Sequence, residues 1–163
     1  MAADHLDADE FALWIALIRV GQLLPDRLDT ELRAEGTTHA RFEILSVLAR
    51  FPDGLRLTDI GRYALVSKPR LSVHIAELCR DGLTERRSDP ADGRASLVTI
   101  TRAGKRALAS WQPDHLALAR SLVLEHVPVD ERASLTATLH RILRALGDTW
   151  DPDDVGVDPG ERS

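Results

Sequence analysis

Between Asp9 and Ala34, apolar residues at Phe11, Trp14, Ile15 and Ile18, and again at Leu24, Leu28 and Leu32, recur mostly at steps of three or four. That spacing predicts one long helix with an apolar stripe. Pro25 falls inside it and predicts a kink, because proline removes a backbone hydrogen bond and crowds the preceding turn. Gly36 is expected to end it. A second helix is expected from about Thr38, a suitable N-cap, through Phe42, Leu45 and Leu48 to the Phe51-Pro52-Asp53-Gly54 turn. A short third helix follows Thr58. For a fourth, Ser67 can cap the start, Pro69 sits where a missing N–H costs nothing, Leu71, Ile75 and Leu78 form the inner face, and Gly82 is the stop.

The period then changes. Leu83 to Arg87 and Leu97 to Ile100 read as two short strands around the turn-rich Ser88-Asp89-Pro90-Ala91-Asp92-Gly93, a β-hairpin. Thr101 can cap a fifth helix to about Glu125, with Pro113 as a second kink, and a sixth spans Glu131 to Leu146 through Leu135, Leu139 and Ile142. Residues 151–163 are acidic and rich in Pro and Gly, and are expected to be disordered. The expected fold is mainly α with a small β-hairpin wing, a single domain over 1–163. Residues 38–100 form a winged helix-turn-helix, and 9–36 with 101–147 form a helical dimerisation region. The first, fifth and sixth helices carry more apolar surface than one small core can cover, so a homodimer is expected.

Composition narrows the function. With 44% hydrophobic and 29% charged residues the chain has the make-up of a soluble globular protein. Its longest apolar run, Phe11 to Ile18, is too short to span a bilayer, and the N-terminus lacks the basic and apolar regions of a signal peptide. A cytoplasmic location without membrane association is expected. The lone Cys79 excludes an intrachain disulfide, and its place at the edge of a packed face suggests a structural thiol. The six histidines lack the short paired spacings of a metal site, and His74 near the inner stripe of the fourth helix is expected to be packed. No phosphate-binding glycine loop, nucleophile elbow or convincing histidine–carboxylate pairing points to an enzyme or a cofactor. The formal charge is −5 overall, yet from Arg56 to Arg106 eleven Lys/Arg face six Asp/Glu. A basic middle with acidic ends is the asymmetry expected where only the middle meets phosphates.

Two helices joined by a tight connection and followed by a β-hairpin is the layout in which the second helix enters a major groove while the hairpin reaches the adjacent minor groove. The text from Leu57 to Gly104 resembles the MarR family of winged-helix transcription regulators. The wing Asp89-Pro90-Ala91-Asp92-Gly93-Arg94-Ala95, then Ile100-Thr101 and Gly104, carries the resemblance most strongly.

The resemblance implies a ligand-responsive regulator, a repressor in the first instance, that binds a double-stranded inverted-repeat operator as a homodimer. Arg94 would enter the minor groove from the wing tip, with Asp92 orienting it. On the fourth helix Lys68, Pro69, Arg70, Ser72 and Val73 would face the DNA, Arg70 and Ser72 reading bases and Lys68, with Arg86 on the wing, gripping phosphate. Val73 stands where members often carry arginine, so readout there would pass to a thymine methyl or be lost. Leu65 and Gly61 replace a usual glycine and alanine. The resemblance also implies a small aromatic or anionic effector, with Trp14, His39, Arg41, Trp111 and His115 as candidate lining residues. A non-specific architectural or protein-interaction winged helix is the competing function.

Overall fold

Asp7 starts the first helix with a reciprocal cap: its carboxylate accepts from the backbone N–H of Asp9 and Glu10, while the Glu10 carboxylate accepts from the N–H of Asp7, each at 2.9 Å. The computed structural model describes residues 5–64, 66 and 68–148, apart from the side chains of Lys68, Gly93 and Arg94. The expected cap Ser67, the departure at Leu65 and the tail 151–163 therefore lie outside the described residues. The chain divides between His39 and Ala40 into two compact units.

In the first unit, α1 runs from Ala8 to Ala34 with Pro25 inside it. Its stripe is used unevenly. Leu28 and Leu32 are buried, whereas Phe11, Trp14 and Ile18 are exposed. The Asp29 carboxylate accepts the His39 N–H at 2.8 Å, so a side chain from the preceding helix satisfies a donor at the start of α2 (His39–Arg50), for which the sequence suggested Thr38 alone as cap.

Among the described residues the second unit holds one apolar core. It contains Ile44, Leu45, Val47 and Leu48 of α2 (His39–Arg50), Ile60 of α3 (Leu57–Tyr63), Leu71, Ile75 and Leu78 of α4 (Lys68–Arg80) and Val98 of the sheet. The inner face expected for α4 is thus the buried one. At its end the Leu83 N–H donates to the Leu78 carbonyl at 2.8 Å and the Gly82 N–H to the Cys79 carbonyl at 3.0 Å. Gly82, at φ +72°, supplies the left-handed residue this double closure requires.

The hairpin is longer than the sequence suggested. β2 (Thr84–Asp89) and β3 (Asp92–Ile100) pair antiparallel from Thr84↔Ile100 to Ser88↔Ser96, with an irregular step before Asp89↔Asp92. The strands continue because the Asp89 carboxylate accepts the Ala91 N–H at 2.8 Å, which closes the turn over Pro90 and Ala91. A third strand escaped the sequence: β1 (Leu55–Arg56) pairs with the other edge of β3, giving the order β1-β3-β2. Gly54, just before β1, sits at φ +88°, and a Cβ there would stand 2.6 Å from Thr99 Cγ2 and 2.8 Å from the Val98 carbonyl oxygen. The glycine of the turn that follows α2 thus lets β1 close on β3.

Thr101 caps α5 (Arg102–Leu122), accepting the Gly104 N–H at 3.0 Å and donating to the Gly82 carbonyl at 2.7 Å. Gly104 is buried, and a Cβ on it would meet the Leu83 carbonyl oxygen and lie 2.8 Å from Ile100 Cγ1. The helix thus starts in direct backbone contact with Leu83, at the base of the wing just before β2. α5 stops short of Glu125, which lies in a 3₁₀ turn, Leu124–His126, ahead of α6 (Val129–Ala145). Leu135 and Leu139 of α6 are exposed.

Candidate nucleic-acid interface

The three buried leucine and isoleucine positions of α4 turn its opposite face to solvent, and Pro69, Arg70, Ser72 and Val73 are all exposed. The first turn of α4 contains no acidic residue, so nothing there opposes an approaching phosphate. On the wing, Arg86 is exposed on β2 opposite Val98, and no described residue forms an ion pair with it. Its neighbour Arg87 is already matched by Glu85, two residues away on the same strand face. Of the expected DNA contacts, Pro69, Arg70, Ser72, Val73 and Arg86 are described and exposed. The backbones of Lys68 and Arg94 lie at the start of α4 and in β3, and their side chains lie outside the described residues.

The wing is tied to the helix-turn-helix by an ion pair that no sequence pattern announced. Arg56 Nε and Nη2 donate to Asp89 Oδ2 at 2.9 and 2.6 Å. Arg56 Nη2 also lies 3.9 Å from Oδ2 of Asp92, the residue expected to orient Arg94. The Ala91 N–H and the Arg56 guanidinium hold the Asp89 carboxyl below its ordinary range, and Asp89 raises the guanidinium in turn. The Asp89 side chain is 8% exposed and that of Arg56 44%, so the acid is shielded while its partner borders water. Because Arg56 immediately precedes α3, this pair couples the wing turn to the first helix of the helix-turn-helix. Thirty-three residues separate the partners, and a two-residue strand has no periodicity to read.

A family model described as MarR family matches residues 35–95. The crystal structure of Sco3205, a MarR family transcriptional regulator from Streptomyces coelicolor in complex with DNA, superposes with a TM-score of 0.81 at 29% identity, covering 87% of this chain and 90% of that one. The transcriptional activatory protein BadR of Rhodopseudomonas palustris is 27% identical over 144 residues, 87% of this chain and 81% of that protein. The transcriptional repressor YetL of Bacillus subtilis is 25% identical over 143 residues, 87% and 85% of the two chains. Over residues 35–95 in the family model, and over most of its length in these relatives, this chain is similar to transcription regulators of the MarR family.

The candidate effector residues fall in both units. Trp14 is exposed on α1, and His39 opens α2 with its N–H on Asp29. In the second unit Arg41 Nη2 reaches Asp81 Oδ2 at 2.5 Å, His115 stacks on Phe42 with ring centroids 3.9 Å apart, and Trp111 packs against the core. Structural work thus already engages Arg41, Trp111 and His115. His74 is half-buried, with Nδ1 3.5 Å from the Glu77 carboxylate, so it borders the core instead of lying within it. Cys79 packs against the core beside Thr84 Oγ1 at 3.2 Å. Among the described residues no helix is long and apolar enough to cross a membrane, and no group of three His, Cys, Asp or Glu could hold a metal ion.

Proposed function

We propose that this chain is a MarR-type regulator acting as a homodimeric repressor, with α4 in the major groove and the β2–β3 wing in the minor groove of an inverted-repeat operator. The observation that carries the reading is the exposed outer face of α4 beside a wing anchored through Arg56 and Asp89. A rigid wing at a fixed offset from the recognition helix is what simultaneous contact with two adjacent grooves requires. The DNA complex of Sco3205 and the repressor YetL support the same reading.

Titration of the parent and of Arg94→Ala, Asp92→Ala and Arg70→Ala against operator and scrambled duplexes at two salt concentrations tests it. Arg94→Ala is expected to lose about 1–3 kcal/mol on operator and to lower the salt slope by about one. Asp92→Ala is expected to behave as a milder version. Arg70→Ala should instead narrow the gap between operator and scrambled DNA, because a base contact carries sequence information. Parent-like binding by Arg94→Ala at both salts would remove the wing from the interface. Transcription from an operator-bearing promoter sets the sign: a fall on adding the protein supports repression, and a rise gives it the role named for BadR.

Release by a small aromatic or anionic effector completes the reading, with Trp14, His39, Arg41, Trp111 and His115 as its candidate residues. Loss of operator binding on titrating a panel of aromatic carboxylic acids is the result expected of a ligand-responsive member. Retention of binding across the panel counts against that part alone. A second reading, non-specific architectural DNA binding, draws on the net charge of −5 and on valine at position 73. Footprinting on random duplexes separates the two, since only the first leaves a protected dyad.

A further inference from the structure

The outermost line of the recognition helix is apolar until it ends at Arg80. At about 100° per residue, Pro69, Val73, Ala76 and Arg80 fall within roughly 60° of arc opposite the buried Leu71, Ile75 and Leu78. All four are exposed. Arg70 and Ser72, the polar candidates for base reading, lie roughly 70–90° away on the two flanks of this line. At its middle stands Val73, 56% exposed, with two methyl groups and no polar atom.

From this geometry we infer that Val73 is the specificity-determining residue at the centre of each half-site and that it reads a thymine through its C5-methyl group. In the major groove the thymine methyl is the one apolar mark on a base edge, and it distinguishes T·A from the other three pairs. A helix lying in that groove brings its most outward residues closest to the base edges, so a short side chain reads a base only from there, while a flanking residue such as Arg70 needs its length to reach one. The charges around the line favour a nucleic acid over an apolar protein partner. Arg70 flanks it, no acid occupies the first turn of α4, and the acids farther along have partners of their own: Asp81 lies 3.9 Å from Arg80 Nε and Glu77 3.5 Å from His74 Nδ1. The inference rests on the operator-binding reading above and adds what the operator must contain.

The experiment begins with selection of duplexes from a random pool by the full chain. Each thymine of the enriched operator is then replaced, one symmetric pair at a time, by deoxyuridine, which lacks only the methyl group. One pair of thymines is expected to be sensitive, losing roughly fourfold in affinity per half-site, the value of one buried methyl group. Val73→Ala should lose a similar factor on the thymine operator and show no further loss on the uracil one. Alanine is a better helix former than valine and the site is exposed, so the variant keeps its fold. Val73→Arg should move the preference at that pair toward guanine. An enriched operator indifferent to every uracil overturns the inference while leaving operator binding intact, and so does a Val73→Ala variant that keeps the full uracil penalty. Failure to enrich any duplex overturns the operator-binding reading, and this inference with it.

Discussion

The winged-helix region and the long terminal helices treat apolar residues in opposite ways. In α2, α3 and α4 the apolar positions turn inward, and Ile44, Leu45, Leu48, Ile60, Ile75 and Leu78 have no measurable exposure. In α1 the first half of an equally regular stripe, Phe11, Trp14 and Ile18, stays exposed, as do Leu135 and Leu139 of α6. The amphipathic pattern is similar in both regions, so the pattern states that a face will be covered and not what will cover it. The winged-helix region covers most of its own, with Leu108 and Trp111 of α5 packed against it. The exposed faces of α1 and α6 are those the proposed homodimer would bury.

The contrast can be broken first at the core. Leu45→Ala should cost about 2–5 kcal/mol by urea unfolding, because its site is closed on all sides. A cost within the error of the measurement would mean that this core does not hold the region together. Next in size is Gly104→Ala, where the new methyl group would press on the Leu83 carbonyl and Ile100. A loss of about 1–3 kcal/mol is expected there, from overpacking and not from a cavity. An unchanged urea midpoint would show that α5 does not abut the wing as described.

At the exposed faces the expected loss is of association instead of fold. Ile18→Asp and Leu139→Asp should shift the species seen by light scattering from dimer toward monomer while far-UV circular dichroism keeps its helical amplitude. Dimers of both variants at micromolar concentration would place the subunit contact elsewhere.

The smallest effect concerns the anchor of the wing. Asp89 has its carboxyl lowered by the Ala91 N–H and the Arg56 guanidinium, so its contribution to stability is complete above the ordinary carboxylate pKa of about 4. That contribution is lost only as pH falls from there toward the lower folded-state value. Asp89→Asn should therefore show a stability deficit that is constant from pH 8 to about 5 and that narrows below about 4. A deficit that changes between pH 8 and 6 would assign the effect to another group.

Local chemistry made much of this protein legible in its sequence. The inner face of α4, its stop at Gly82, the Thr101 cap and the paired hairpin each depend on residues a few positions apart or on a two-residue turn. Side-chain periodicity and capping propensity report such contacts directly. The candidate DNA contacts were legible for the same reason, since a helix start and a hairpin tip place their residues by local geometry. What the tertiary structure alone decided depends on distant partners. Arg56 becomes a wing anchor only because β1 is laid against β3, an arrangement that needs the bare Cα of Gly54 beside Val98 and Thr99. Asp29 becomes a cap for His39 only once the turn at Gly36 has brought it back. Arg41 carried the look of a ligand-binding cation until folding set it against Asp81, forty residues away. The stripe of α1 reads as uniform in sequence, yet only Leu28 and Leu32 at its C-terminal end are buried. Periodicity fixes which way a side chain points; which surface it meets depends on chain segments tens of residues away, and only the folded backbone brings those together.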